Sequence, residues 1–284
     1  MNRGRRAVAA ALGASAWLGW PGLVRVAGAQ ATSDVPYVPT PWAVVEAMFK
    51  LARVGRGDFL IDLGSGDGRI VNTAARDIGL SGLGIELDGN LVHTATLEAK
   101  RLGVADRVQF VRGNIFDVDF GRATVLTMYL LPAVNLQLRP RVLALKPGTR
   151  IVSHDFDMAD WKPDGRVSVP VPGKSYGPPE STIFLWVVPA RAAGRWEWTL
   201  PDGRAVEVGF DQVFQTLSGR ASVARSAGRL EDARLEGDCI AFAVRGPGAA
   251  DVRYAGRIAG DRIEGTLHAP DGTAPWTARR TAAS

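Results

Sequence analysis

Two carboxylates stand at telling places in this 284-residue chain. Asp62 lies in the apolar run Phe59 to Leu63, and Glu86 lies at the end of the next such run, Gly82 to Leu87. Directly after the first run comes Gly64-Ser65-Gly66-Asp67-Gly68, and then Arg69 to Ile78, which has the composition of a helix. A strand that ends in a glycine turn and opens a helix gathers backbone N–H groups and a positive dipole end at one point. Glycines let a ligand approach the backbone there. An acid at the tip of the neighbouring strand can accept both hydroxyls of a ribose. The chemistry implied is the grip of a nucleoside.

The kind of nucleoside follows from the turn. A dinucleotide site wants G-x-G-x-x-G, but here Arg69 stands where the third glycine belongs, and Asp67 inside the turn would repel a pyrophosphate. An NAD-dependent oxidoreductase is therefore a weak reading. A phosphate-free ligand fits better. S-adenosylmethionine offers an ammonium for Asp62 or Asp67, a ribose diol for Glu86, and a sulfonium whose charge makes a carboxylate-rich pocket favourable.

These residues need a scaffold of alternating strands and helices. Thr40-Pro41 suits a helix start, with Thr40 as cap, and Val44, Met48 and Leu51/Ala52 fall on one face. Strands are expected at 59–63, 82–87, 107–111, 123–130 and 149–153. A helix from Asp88 carries Leu91, Ala95 and Ala99 on one face, and a second spans 133–146 with Pro140 as a kink. Segments 167–171 and 182–188 read as a terminal hairpin. The expected fold is α/β, a doubly wound, mostly parallel sheet.

Beyond Pro189 the helical period disappears. Strands are expected at 196–198, 205–214, 239–244, 252–258 and 263–268, with hairpin turns at Gly237-Asp238, Gly260-Asp261 and Asp271-Gly272. Residues 192–284 thus read as a small antiparallel β barrel or sandwich. Trp196, Trp198 and Trp276 are expected in its core, and its arginines on a solvated face.

The composition, 46% hydrophobic and 22% charged, is that of a globular protein. The net charge of +5 is a poor sign of nucleic-acid binding, because residues 1–29 hold Arg3, Arg5, Arg6 and Arg25 and no acid. That stretch reads as a signal peptide: a basic start, an apolar run from Ala7 to Leu18, and Ala27-Gly28-Ala29 before a mature start at Gln30. Arg5-Arg6 also permits a twin-arginine reading, and residues 7–26 an uncleaved membrane anchor. The expected domains are 1–29, 30–190 and 192–284. With Cys239 as the single cysteine and His93, His154 and His268 far apart, no metal site is expected.

Asp62-Leu63-Gly64-Ser65-Gly66-Asp67-Gly68 resembles the first motif of the class I, seven-stranded Rossmann-like S-adenosylmethionine-dependent methyltransferases, and residues 36–188 match that family's order of elements. The resemblance implies that Asp62, Gly64, Gly66 and Asp67, with Ser65 and Gly68 of the same turn, hold the methionine part and Glu86 the ribose. Asn114 would stand where the family usually has an Asp that meets the adenine amino group, with Leu87 and Ile115 flanking the ring. Tyr37-Val38-Pro39-Thr40-Pro41 before the motif is similar to the small protein-lysine methyltransferases that act on mitochondrial ATP synthase and on the adenine-nucleotide carrier. That likeness implies that Tyr37 and Thr40 fold over the cofactor. Thr127 would sit by the cofactor and, with Tyr129 and Leu130, line the acceptor pocket.

Tyr129 and His154, the latter with Asp155 beside it, are the candidate catalytic residues; Trp161 and Tyr176 could cover the pocket. The chain lacks the Asn/Asp-Pro-Pro-Tyr/Phe signature of amino-methylating DNA enzymes, Tyr129-Leu130-Leu131-Pro132 being a loose echo. The expected acceptor is thus a protein lysine or a small molecule rather than nucleic acid, with membrane contact only through an uncleaved leader. The rival reading from another class is an exported binding or envelope protein that keeps the fold without turnover.

Overall fold

Apolar β-rich runs separated by helices that each bury one face settle into a single sheet with helices against it. A computed structural model describes residues 37–175, 177–246, 252–270 and 272–282. The signal-peptide reading of residues 1–29, the mature start at Gln30, the stretch to residue 36, Tyr176 and Asp271 lie outside the described residues.

The order is α1 (Trp42–Leu51), β1 (Phe59–Leu63), α2 (Arg69–Thr73) with a continuing π-wound turn (Ala74–Ile78), β2 (Ser81–Glu86), α3 (Gly89–Arg101), β3 (Val108–Arg112), β4 (Val125–Met128), α4 (Pro132–Leu143), β5 (Arg150–His154), β6 (Gly165–Pro170) and β7 (Glu180–Val187). The sheet runs β3-β2-β1-β4-β5-β7-β6. The first five strands are parallel; β7 is antiparallel to both β5 and β6. Strand order reverses between β1 and β4. In such a sheet the crevice outside the carboxyl ends of the strands at that point receives the ligand.

The core explains the pattern. Val44, Val45 and Met48 of α1 pack with Leu60, Val71, Val125 and Val152 on one side of the sheet. Ile61, Leu63, Leu126, Met128, Leu138 and Ile151 pack on the other. Strands covered on both faces read as continuous apolar runs, as β1 and β4 do.

Several local expectations are corrected. Thr40 does not cap α1: Pro41 takes that place without a side-chain bond, because the Thr40 hydroxyl is drawn to His154 instead. The segment after Arg69 is not uniformly α-helical but widens into the π turn before Gly79 closes it at φ 81. The third glycine's packing role, which Arg69 cannot fill, falls to Gly68. Its φ is 76, and a Cβ there would lie 2.6 Å from the Ala95 Cβ and 2.7 Å from the Phe110 ring. Helix α4 runs through Pro140, as expected, but spans Pro132–Leu143 rather than reaching residue 146.

The C-terminal part is a closed eight-stranded antiparallel barrel. Its strands are β8 (Gly194–Thr199), β9 (Ala205–Val213), β10 (Thr216–Val223), β11 (Ser226–Glu236), β12 (Cys239–Arg245), β13 (Val252–Ala259), β14 (Arg262–Ala269) and β15 (Gly272–Ala282). Closure removes the exposed edges of an open sheet. Strands β10, β11 and β15 are not among those expected from sequence. Trp196, Trp198 and Trp276 lie in the barrel core with Phe210, Phe242 and Tyr254, as expected.

The barrel is fastened to the sheet. Trp161 Nε1 donates to Gln215 Oε1 at 2.9 Å, Gln215 Nε2 donates to the Lys162 carbonyl at 2.7 Å, and the Phe214 ring stacks on Trp161 at 5.7 Å. Trp161, expected near the pocket, is thus fully buried at this junction. The connecting segment is held as well: Gln212 Oε1 accepts from the amides of Ala192 and Ala193, and its Nε2 donates to the Ala190 carbonyl. Sheet and barrel belong to one compact unit, residues 37–284. Among the described residues, no helix is long and apolar enough to cross a membrane.

Candidate active site

The carboxyl ends of β1, β2, β4 and β5 converge on the glycine turn. Asp62, near the end of β1, is 2% exposed, and its Oδ1 accepts from Thr127 Oγ1 of β4 at 2.7 Å. Burial pushes its carboxyl up to about 7, against that hydrogen bond, and the neighbouring charges of Glu86 and Asp67 add to the rise. A buried acid with one side-chain donor is stabilised in its charged form by an arriving cation. That environment suits the ammonium of an amino acid.

Glu86, at the tip of β2, is anchored by backbone donors. Its Oε2 accepts from Gly66 N at 2.8 Å, and its Oε1 from Leu87 N at 2.7 Å and Asp88 N at 3.0 Å. The side chain is therefore aimed before any ligand arrives. A carboxylate offers about four lone-pair sites, so a ribose hydroxyl finds capacity left. The turn itself is shaped for close approach. Gly64 and Gly66 have φ 74 and 53, and a Cβ on Gly66 would lie 2.3 Å from the Tyr37 ring. Tyr37 thus packs directly on the turn; burial, then the charge of Asp67, pushes its hydroxyl up to about 12.

Other expected cofactor residues are placed differently. Asp67 is engaged by Arg69, whose Nε and Nη2 donate to both carboxylate oxygens at 2.7–3.1 Å. Burial alone would raise this carboxyl, but Arg69 holds it below its usual range. The same guanidinium donates from Nη1 to the Thr40 carbonyl at 2.9 Å, tying the segment before α1 to the turn. Arg69 matters here for its own contacts, which a sequence reading that treats it as a missing glycine does not see. The Ser65 side chain is buried toward Gly84 with no hydrogen-bond partner at Oγ, so only its backbone faces the turn. Asn114 Oδ1 accepts from Phe116 N at 3.0 Å, a local turn bond that engages the oxygen expected to meet adenine. Leu87 and Ile115, which follow β2 and β3 in the chain, are half-buried.

The second cluster lies at the tips of β4 and β5. The Tyr129 ring is 3.8 Å from the His154 ring, and its hydroxyl donates to Asp155 Oδ2 at 3.3 Å. His154 is 1% exposed; Nδ1 is 3.3 Å from Thr40 Oγ1 and Nε2 2.8 Å from Ser181 Oγ. Burial holds its imidazole well below the usual range, with Asp155 opposing and Lys174 adding to the shift. Through these two bonds the ring links α1's entry to β7. Asp155 has φ 61, a rare conformation for a residue with a side chain. Lys174 and Ser181, on the loop before and the start of β7, escaped sequence reading because the hairpin brings them in from far along the chain.

The environment of Asp62 and the aimed Glu86 fit S-adenosylmethionine: Asp62 and the turn would hold the amino-acid end, Glu86 the ribose. When bound, that cofactor supplies an electrophilic methyl group.

Comparison with known proteins agrees. Residues 62–165 match the ANTKMT methyltransferase domain. The Protein-lysine N-methyltransferase of Saccharolobus islandicus is 42% identical over 156 residues, which are 54% of this chain and 94% of that protein. The Adenine nucleotide translocase lysine N-methyltransferase of Mus musculus is 38% identical over 132 residues, 46% of this chain and 57% of that one. This chain therefore spans nearly all of the first relative and little more than half of the second. Among solved structures, one described as an RNA methyltransferase from Salinibacter ruber in complex with S-adenosyl-L-homocysteine shares 50% identity at a TM-score of 0.49, over 53% of this chain and 94% of that one. With a relative matched at such identity along almost its whole length, this chain belongs to the ANTKMT methyltransferase-domain family of class I, S-adenosylmethionine-dependent methyltransferases.

Proposed function

We propose that this enzyme methylates the side-chain nitrogen of protein lysine. The observation that carries the reading is Asp155. Its carboxylate is 11% exposed at the tip of β5, beside the Tyr129 hydroxyl, and is already matched to a lysine ammonium, that of Lys174. A low-dielectric carboxylate is the feature that recognises a cationic acceptor. The activities for which the Saccharolobus and Mus relatives are named support the same acceptor class. The non-catalytic envelope-protein reading is not favoured.

The chain's own work in such a reaction is positioning. The Asp155 carboxylate and Tyr129 hydroxyl would orient the incoming ammonium, and Asp155 or a water beside it would take the proton that the nitrogen must lose. Thr40 and Tyr37, tied down by His154, Arg69 and the glycine turn, would exclude water from above. Methyl transfer then needs an in-line approach, which a rigid site supplies.

The test uses a tritiated methyl donor, the purified full chain and a cell extract as acceptor. Counts should survive nuclease digestion and disappear when extract lysines are acetylated beforehand. Counts lost to nuclease and kept after acetylation would overturn the lysine assignment.

A further inference from the structure

We propose that Lys174 is itself a methyl acceptor of this active site; the proposal rests on the protein-lysine reading above. Strands β6 and β7 form an antiparallel hairpin, and β7 lies against β5. The connection between them therefore returns to the carboxyl tip of β5. Two hydrogen bonds tie the start of β7 to that tip: Asp155 N donates to the Thr182 carbonyl at 2.7 Å, and Thr182 N donates to Asp155 Oδ1 at 3.0 Å. From this loop Lys174 reaches inward. Its Nζ lies 2.7 Å from Asp155 Oδ2 and donates to the Glu180 carbonyl at 2.8 Å.

The side chain of Lys174 is 9% exposed. A loop lysine ordinarily keeps its ammonium in water, and burying one is costly unless it is paired. Here the ammonium has been drawn onto the very oxygen that also accepts from the Tyr129 hydroxyl. The strained φ of Asp155 aims that carboxylate.

The side of the crevice is fixed by residues already described. Glu86 at the tip of β2 defines the ribose end, and Asp62 and the glycine turn after β1 define the amino-acid end. A cofactor held in this way would turn the group it transfers toward the remaining strand tips, β4 and β5, where Tyr129, Asp155 and the Lys174 Nζ lie. A lysine nitrogen thus stands on the acceptor side, held by the pair of groups that would hold a substrate lysine.

The reaction balances with the family's own donor. Lys174 Nζ gives up a proton to the Asp155 carboxylate or to water. Its lone pair forms the N–C bond to the methyl group as the C–S bond breaks. The C–S electron pair stays on sulfur, which becomes a neutral thioether, and the nitrogen carries the positive charge as methylammonium.

The experiment incubates the full chain with S-adenosylmethionine bearing a deuterated methyl group, alone and with a poly-lysine peptide, and maps the label by mass spectrometry of proteolytic fragments. Cofactor binding is measured on the same preparation by calorimetry. The expected result is a deuterated methyl on Lys174, formed at a rate that does not change when the protein is diluted. Asp155→Asn should slow that labelling about tenfold or more while the cofactor still binds. A preparation that binds cofactor and labels the peptide but leaves Lys174 unmodified overturns this inference and spares the lysine reading. If cofactor binds and neither is labelled, both fall.

Discussion

Asp62 is where the charge state of one residue decides binding. Its carboxyl is pushed up to about 7 by burial, so below that pH the free enzyme presents mostly the neutral acid to a cationic ligand. Affinity for S-adenosylmethionine should therefore climb as pH rises toward about 7 and level off above it, with a proton released on binding in the acidic part of the range. Calorimetry in buffers of different ionisation enthalpy reads both effects, and Asp62→Asn should flatten the pH curve. For folding the sign is the reverse. The unfolded chain ionises Asp62 from 3.8 upward while the fold keeps it protonated to about 7. Its contribution to stability is present at low pH and is lost as pH rises through that window. Glu86→Ala should weaken cofactor binding by more than about tenfold, or about 1.4 kcal/mol; an unchanged dissociation constant by titration calorimetry would contradict its ribose role. Both acids were legible from their strand-end positions. The engagement of Asp67 by Arg69 was not, because an i, i+2 ion pair depends on the curl of the turn between them.

At the scale of elements, Gly68 is the contact on which α2, α3 and β3 close together. Gly68→Ala puts a Cβ against Ala95 and Phe110 at a positive φ. It should cost about 1–3 kcal/mol of stability, seen as a lowered melting temperature. The central strands β1, β4 and β5 were readable in sequence because burial on both faces leaves mostly apolar runs, whereas the edge strand β3 stays partly exposed at Gln109 and Arg112. Thr40 shows the limit of a local rule: a good capping residue was taken by a histidine on β5, 114 positions away. Strands β10, β11 and β15 escaped notice for a related reason. Large inward residues are sparse and mixed with small ones, such as Ala221 beside Leu217 on β10 and Ala278 beside Trp276 on β15, so no strong alternation announces them.

At the scale of the whole molecule, the barrel is coupled to the sheet through a buried junction. Trp161 is fully buried, and its carbonyl also accepts from Trp186 Nε1 at 2.8 Å. Phe214→Ala should remove the stacked ring and cost about 1–3 kcal/mol. Calorimetry should show one transition moving as a unit; two separated transitions in the wild-type chain would show that sheet and barrel melt independently. His154 adds a pH term of the opposite sign to Asp62. Its imidazole is held below the usual range while the unfolded one titrates at 6.5. Its contribution is present above that pH and is lost as pH falls. Export, which we propose from the basic and apolar opening residues, should appear as activity of a periplasm-specific reporter fused at Ala31; activity confined to a cytoplasmic reporter would reject it.

Local signals sufficed for the alternating sheet, the nucleoside turn, the two strand-end carboxylates and the change to β structure after Pro189. Each of these depends on residues adjacent or one structural period apart. What only the tertiary structure decided is which polar groups meet: Arg69 with Asp67 and the Thr40 carbonyl, His154 between Thr40 and Ser181, and Lys174 on Asp155. It also decided that the eight late strands close on themselves and lock to Trp161. Apart from the Arg69–Asp67 pair, which depends on the curl of one turn, such pairings join elements apart in the chain, and their choice rests on burial, since an unpaired polar group or open strand edge costs free energy only once folding has removed the water around it.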